Sequence, residues 1–167
     1  MRSRFEWTLP VLLLACLAGC AGQSTKEDTL LPEPAAATSP GEETRREIAV
    51  QALSLLGVPY RYGGRTPETG FDCSGLVRHV VSKVAGTLLP PDTRGMSGIG
   101  SSVTPEELQP GDLVFFNTLR RPYSHVGIYL GKQRFVHAPS SGGVVEIVSM
   151  SQRYWRQRYD GARRLPF

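Results

Sequence analysis

The chain is 167 residues long, 40% hydrophobic and 20% charged, with a formal net charge of +4. Such apolar content excludes a wholly disordered chain, and the length holds one ordinary domain rather than two. The basic residues gather late, at Arg153, Arg156, Arg158, Arg163 and Arg164, without the aromatic interleaving of a nucleic-acid binder, so they read as solvated surface and no nucleic-acid partner is expected.

The chain opens "MRSRFEWTLPVLLLACLAGC". Arg2 and Arg4 precede an apolar run from Leu9 to Leu17, and small residues follow, which is the layout of a secretory signal. The run is short of the ~20 apolar residues that a spanning helix needs. "LAGC" resembles the lipobox of bacterial lipoproteins. That resemblance implies removal of residues 1–19 and lipid attachment to Cys20, which would anchor the protein to a membrane. Ala21, in place of aspartate, implies by the Gram-negative sorting pattern an outer-membrane lipoprotein facing the periplasm. Residues 20–38 are polar and rich in Pro and Ala, so beyond the lipidated cysteine they read as a flexible tether. Cys16 would leave with the signal and Cys20 would be capped by lipid. Cys73 is then the single free thiol of the mature chain. In an oxidising compartment structural cysteines come in pairs, so a lone one is either inert and buried or kept for its reactivity.

Residues 39–167 read as the folded domain. Ser39 is placed to cap a helix, with Pro40 in its first turn and Glu42 closing a capping box. Ile48, Ala49, Ala52, Leu53 and Leu56 recur at helical spacing, and Gly57 stops them. "VPYRYGGRTPETG" is a loop punctuated by Gly and Pro. A second helix carries Leu76, Val77, Val80, Val81 and Val84 on one stripe, with Arg78, His79, Ser82 and Lys83 opposite. Asp72 is its cap, Cys73 lies in its first turn and Gly86 ends it. After a capped turn at "TPEEL" come strand-like runs "DLVFF", "HVGIYL", "RFVHA" and "VVEIV", with "YDGARRL" as a further one. Helices first and consecutive strands later imply an α+β fold, an antiparallel sheet packed on helices.

A cysteine in the first turn of a helix faces the positive end of the dipole and free backbone N–H groups. Both effects are expected to lower the thiol pKa of Cys73, which suits a nucleophile. Such a nucleophile needs a base, and the chain has three histidines. His79 sits six residues on, along the polar face, and is expected to point to solvent away from Cys73. His125 opens a strand and shares a face with Gly127, which is expected to leave open space beside it. His137 lies on the neighbouring strand, where a hairpin can set both imidazoles on one face and let His137 fix the tautomer of His125. A zinc site made of Cys73, His125 and His137 is the alternative. No close-spaced ligand pair supports it, so neither metal nor other cofactor is expected.

"DCSGLV", "HVGIYLG" and "FVHA", in that order within residues 43–165, resemble the NlpC/P60 family of cysteine peptidases. The late "YWRQRYDGARRL" resembles the family's lipoprotein branch, which contains murein endopeptidases. The resemblance implies a papain-like α+β fold and action on peptidoglycan peptides, by a chain expected to be a monomer. It makes Cys73 the nucleophile, His125 the general base and His137 the orienting third residue. It also implies a tyrosine at the oxyanion site, Tyr60 in preference to Tyr62, with the Ser74 backbone N–H beside it. Asp72 would hold a substrate amine or merely cap its helix. The bond implied is the D-alanyl–diamino acid cross-link, or else the D-glutamyl–diamino acid link within a stem. A catalytically silent cell-wall-binding lipoprotein and an acyltransferase are the competing readings.

Overall fold

The computed structural model describes residues 39–140 and 142–167. The signal, Cys20 and the tether lie outside the described residues. Helix α1 runs Pro40–Leu53. Ser39 is extended, and its hydroxyl accepts from the Glu42 N–H at 3.2 Å. The Glu42 carboxylate, expected to close a capping box, instead takes Arg46 Nη2 one turn on at 2.6 Å. Ile48, Ala49 and Ala52 turn inward.

The loop after α1 contains two strands too short to leave a period in the sequence. β1 (Arg65–Thr66) and β2 (Gly70–Phe71) pair antiparallel, Arg65 opposite Phe71. Helix α2 follows at once, Cys73–Ala85, and Gly86 ends it in the left-handed conformation with φ 65°. The left-handed region carries no penalty for glycine, which has no Cβ. Helix α3 (Thr93–Met96) is capped by Asp92. Strand β3 (Ser101–Val103) leads to a 3-10 turn, Pro105–Glu107, where the capped turn expected there takes the form of a capping box between Thr104 and Glu107. Strands β4 (Leu113–Phe116), β5 (His125–Gly131), β6 (Arg134–His137) and β7 (Glu146–Ser149) follow the runs expected from the sequence. Helix α4 (Arg153–Arg156) and strand β8 (Tyr159–Arg164) close the chain.

The six longer strands form one antiparallel sheet in the order β3-β8-β4-β5-β6-β7. Successive side chains of a strand face opposite sides, and here both sides are covered. Leu113, Phe115, Val126, Ile128 and Val136 pack on Ile48, Leu76 and Val80 of the two long helices. Val114, Phe116, Tyr129, Phe135 and Ala162 pack on the other side around Trp155 of α4. That is why "LVFF" is apolar at every position: all four residues are buried. The α+β layout follows the sequence reading, with the addition of this second core beneath Trp155.

An ion pair with a buried carboxylate and a partly exposed guanidinium ties the start of β4 to the end of β8. Asp112 is fully buried, and Arg164 reaches it twice, Nε to Oδ1 at 2.9 Å and Nη2 to Oδ2 at 2.8 Å. The Gln109 N–H adds a third bond at 2.8 Å. Removing one partner leaves a buried charge without its counter-ion, which costs far more than the pair itself contributes. Arg164→Met is therefore expected to lower unfolding free energy by about 3 kcal/mol, read from urea titration. An unchanged midpoint would show that the pair does nothing for stability.

Candidate active site

Asp72 organises the first turn of α2. Its Oδ1 accepts from the Gly75 N–H at 2.6 Å and from the Ser74 hydroxyl at 2.9 Å. Its Oδ2 accepts from the Gly63 N–H at 2.9 Å, which ties the "YRYGG" loop to the helix. Of the two roles considered for Asp72, the cap is the one this geometry displays. Gly75 and Gly64 make the approach possible: a Cβ on Gly75 would lie 2.0 Å from the Gly64 carbonyl oxygen. The same loop carries Tyr60, whose N–H donates to the Gly143 carbonyl at 2.8 Å.

Cys73 begins α2, as expected, and is half-buried. The backbone N–H groups of Ser74, of Cys73 itself and of Val126 in β5 face its sulfur. Cys73, Ser74, Asp72, Tyr60 and His125 line one cleft of about 410 Å³. Tyr60 is half-buried against this site. Burial, with the neighbouring Cys73 and Asp72, pushes its phenol above the ordinary value, so it stays protonated and can donate. Tyr62 is 90% exposed, although it touches the cleft rim.

His125 stands in the cleft and His137 behind it, His125 Nε2 and His137 Nδ1 being 2.9 Å apart. The strand register explains the meeting. Ile128 opposes Val136 and Tyr129 opposes Phe135, so His125 and His137 fall on the same face as near diagonal neighbours. Both rings are buried, at 3% and 1% exposure. Trp155 packs on each of them, with centroids at 5.5 and 4.9 Å, and Phe135 packs on His137. Trp155 is the contributor that sequence reasoning missed. Its only signal was a large aromatic in an otherwise basic stretch.

Three expectations need correction. The space beside Gly127 is not open: a Cβ there would lie 2.5 Å from the Phe135 ring, so the glycine is what lets that ring lie flat on β5. His79 does point away from Cys73, into a separate cavity with Arg65 and Lys83, but it is half-buried, its ring 5.1 Å from that of Phe71. The thiol pKa is raised, not lowered. Burial, joined by the Asp72 charge, pushes Cys73 up to about 11, and the three N–H groups only partly oppose this. Desolvation disfavours whichever form is charged. It therefore also lowers His125 to about 4 and, with His125 adding to it, His137 to about 3. The resting site is a neutral thiol beside two neutral imidazoles. His125 Nε2 is engaged by His137, which leaves Nδ1 as the nitrogen available to a proton from the cleft. Among the described residues, no group of three His, Cys, Asp or Glu side chains is arranged to hold a metal ion.

An α+β domain with a helix-start cysteine facing a strand-borne histidine pair invites comparison with known domains of that plan. The chain belongs to the NlpC/P60 family, whose profile matches residues 57–164. It is 37% identical to the probable endopeptidase NlpC of Escherichia coli (strain K12), over 96% of this chain and 99% of that one. It is 42% identical to the murein DD-endopeptidase MepS/murein LD-carboxypeptidase of the same organism, over 74% of this chain and 64% of that one. Identity to the gamma-DL-glutamyl hydrolase of Bacillus subtilis (strain 168) is also 42%, over 70% of this chain. The chain spans 28% of that protein's length. The fold agrees with that of a Staphylococcus aureus protein of the NLP/P60 family described as similar to lipoprotein. There the TM-score is 0.65 at 37% identity, covering 75% of this chain and 42% of that one.

A neutral resting thiol makes a kinetic prediction. The thiolate is the reactive form, so below its pKa the rate of Cys73 alkylation should climb about tenfold per pH unit. With iodoacetamide no plateau is expected between about pH 6 and 9. A plateau in the acid range would reveal a thiolate–imidazolium pair already formed at rest.

Proposed function

We propose that this chain hydrolyses amide bonds in the peptides of peptidoglycan, with Cys73 as nucleophile, His125 as general base and His137 as its orienting partner. The observation that carries this reading is the shared cleft of Cys73 and His125, with His137 bonded to the remaining nitrogen of His125. Membership of a family with relatives named as murein endopeptidases gives the substrate class.

The chemistry is acyl transfer. As the Cys73 sulfur attacks a peptide carbonyl, His125 Nδ1 takes the thiol proton and becomes imidazolium. The carbonyl oxygen turns into an oxyanion, for which the Ser74 N–H and the Tyr60 hydroxyl are the donors. His125 then gives its proton to the leaving amine as the C–N bond breaks, leaving a thioester. Water, deprotonated by His125, attacks that thioester and returns the thiol. Asp72, at the cleft wall, has lone pairs left for a substrate amine beyond its three structural bonds.

The bond proposed is the D-alanyl–diamino acid cross-link between stems. The likeness to MepS over most of the domain supports it, and the likeness to a gamma-DL-glutamyl hydrolase keeps the D-glutamyl–diamino acid bond as the second reading. Lipid on Cys20 would hold the domain on the outer membrane, facing the periplasm, with the tether giving it reach to the cell wall.

The decisive experiment digests purified sacculi with the full-length chain and reads the fragments by mass. Cys73→Ala should lose at least ~10⁴-fold in turnover while keeping its melting temperature. Full activity in that variant would eliminate thiol catalysis, and a wild-type chain that binds sacculi without cutting them would favour the silent binding lipoprotein. Tyr60→Phe should lose about 10²-fold in kcat as an oxyanion donor. His79→Ala is expected to keep turnover within about twofold and to lose about 1 kcal/mol of stability, the usual cost of trimming a half-buried contact. A large drop in its kcat would mean that His79 serves the reaction.

A further inference from the structure

His137 presents an unanswered question. Its Nδ1 meets His125, but its Nε2 is buried with no hydrogen-bond partner. Directly across the β6–β7 ladder, in register with His137, stands Glu146. Its Oε1 lies 3.6 Å from that nitrogen, and its side chain is half-exposed. Both residues line a second cavity of about 450 Å³, together with Gln152, Tyr154 and Trp155, which shares His125 with the Cys73 cleft but does not include Cys73. Glu146 is the one carboxylate among the residues lining it.

We propose that Glu146 is a positioning residue that fixes the protonation pattern of the two imidazoles by accepting the Nε2–H of His137. The proposal rests on the Cys73–His125–His137 reading above and extends it by one residue.

Two neutral arrangements satisfy the bond between His125 Nε2 and His137 Nδ1. In one, each ring carries its proton on Nε2: His125 donates to His137, and His125 Nδ1 keeps a lone pair toward the cleft. In the other, each ring carries its proton on Nδ1: His137 donates to His125, and His125 turns an N–H toward Cys73. Only the first leaves a base. The second cannot take the thiol proton, however well the rings are placed.

The group at the far end decides between them. The first arrangement puts an N–H at His137 Nε2, the second a lone pair. An ionised carboxylate accepts hydrogen bonds and cannot donate them. It therefore stabilises the first arrangement and repels the second. A small rotation of the Glu146 side chain would bring the contact to the ~2.8 Å of a charge-assisted bond. Burial holds His137 neutral, so the contact is a carboxylate accepting from a neutral ring and not an ion pair. An exposed ion pair would contribute little. Here one partner is 1% exposed, and its bond sets the state of the base.

The test uses the full-length chain labelled with ¹⁵N-histidine, because protonated and bare ring nitrogens resonate far apart. In the wild type at neutral pH both rings should carry the proton on Nε2. Glu146→Gln is nearly isosteric, but its amide donates as readily as it accepts, so it should mix the two arrangements. Glu146→Ala, which removes the acceptor, should do the same. Turnover on sacculi should then fall about tenfold in both, with KM unchanged. Glu146→Asp should restore part of it. Rings that keep the Nε2–H form in both the Gln and the Ala variants would overturn the proposal, whatever the turnover. If the wild-type chain cuts no sacculi, the functional reading fails, yet the ring tautomers still decide the role of Glu146.

Discussion

The candidate site depends on the carboxylate of Asp72. It caps α2 through Gly75, takes the Ser74 hydroxyl and holds the Gly63 N–H of the preceding loop. Three bonds to one side chain fix the helix start and the "YRYGG" loop against each other. That junction places the Cys73 sulfur, the Ser74 N–H and Tyr60 around a common point. Gly64 and Gly75 belong to the same constraint, because the two backbones touch where any side chain would intrude. Capping contributes roughly 1 kcal/mol in an ordinary helix. Here the same bonds also set where the Cys73 sulfur sits, so their effect reaches beyond their share of stability.

The sheet meets this junction from the other side. β5 supplies two things to Cys73: the Val126 N–H that faces the sulfur, and the His125 ring one residue earlier. Covering the second face of the sheet has a chemical consequence. Trp155 and Phe135 shut water away from both imidazoles, and desolvation keeps them neutral well below pH 6. A protonated ring cannot act as a base. The core beneath α4 thus protects the protonation state of the pair as well as packing the sheet.

Much of this was legible in the sequence, and the gaps have physical causes. The long helices announced themselves by period, and four strands by apolar runs between turn residues. β1 and β2 have two residues each, too few to show any period, and α3, β3 and α4 are scarcely longer. Cys73, His125 and His137 could be picked out because their residue types are scarce and their elements readable. That Tyr60 is half-buried while Tyr62 is 90% exposed could not be read from the sequence, since neighbours of one loop differ only in which one turns inward. The misjudged thiol pKa came from counting the helix dipole without desolvation, and burial is a tertiary quantity. Gly127 misled for a similar reason: an empty place on a strand is open only if no neighbouring ring fills it, and Phe135 does. Glu146 carried no local signal at all. Its pairing with His137 is a matter of register across a loop between β6 and β7.

A raised thiol pKa and lowered histidine pKa values do not argue against catalysis. A site that stabilised thiolate and imidazolium equally at rest and at the barrier would gain affinity for a charge and no rate. In the proposed reaction, charge appears only as the sulfur attacks. The N–H groups of Ser74 and Val126 meet a neutral thiol at rest. They bind the sulfur more strongly as negative charge develops on it, until that charge passes to the carbonyl oxygen. In parallel, the bond from His125 Nε2 to His137 Nδ1 joins two neutral rings at rest and becomes charge-assisted once His125 holds the proton, which roughly doubles its strength. The low dielectric that suppresses resting charge also magnifies these gains. Burial then works in favour of the reaction, because it reserves the strongest interactions of the site for the moment when charge moves.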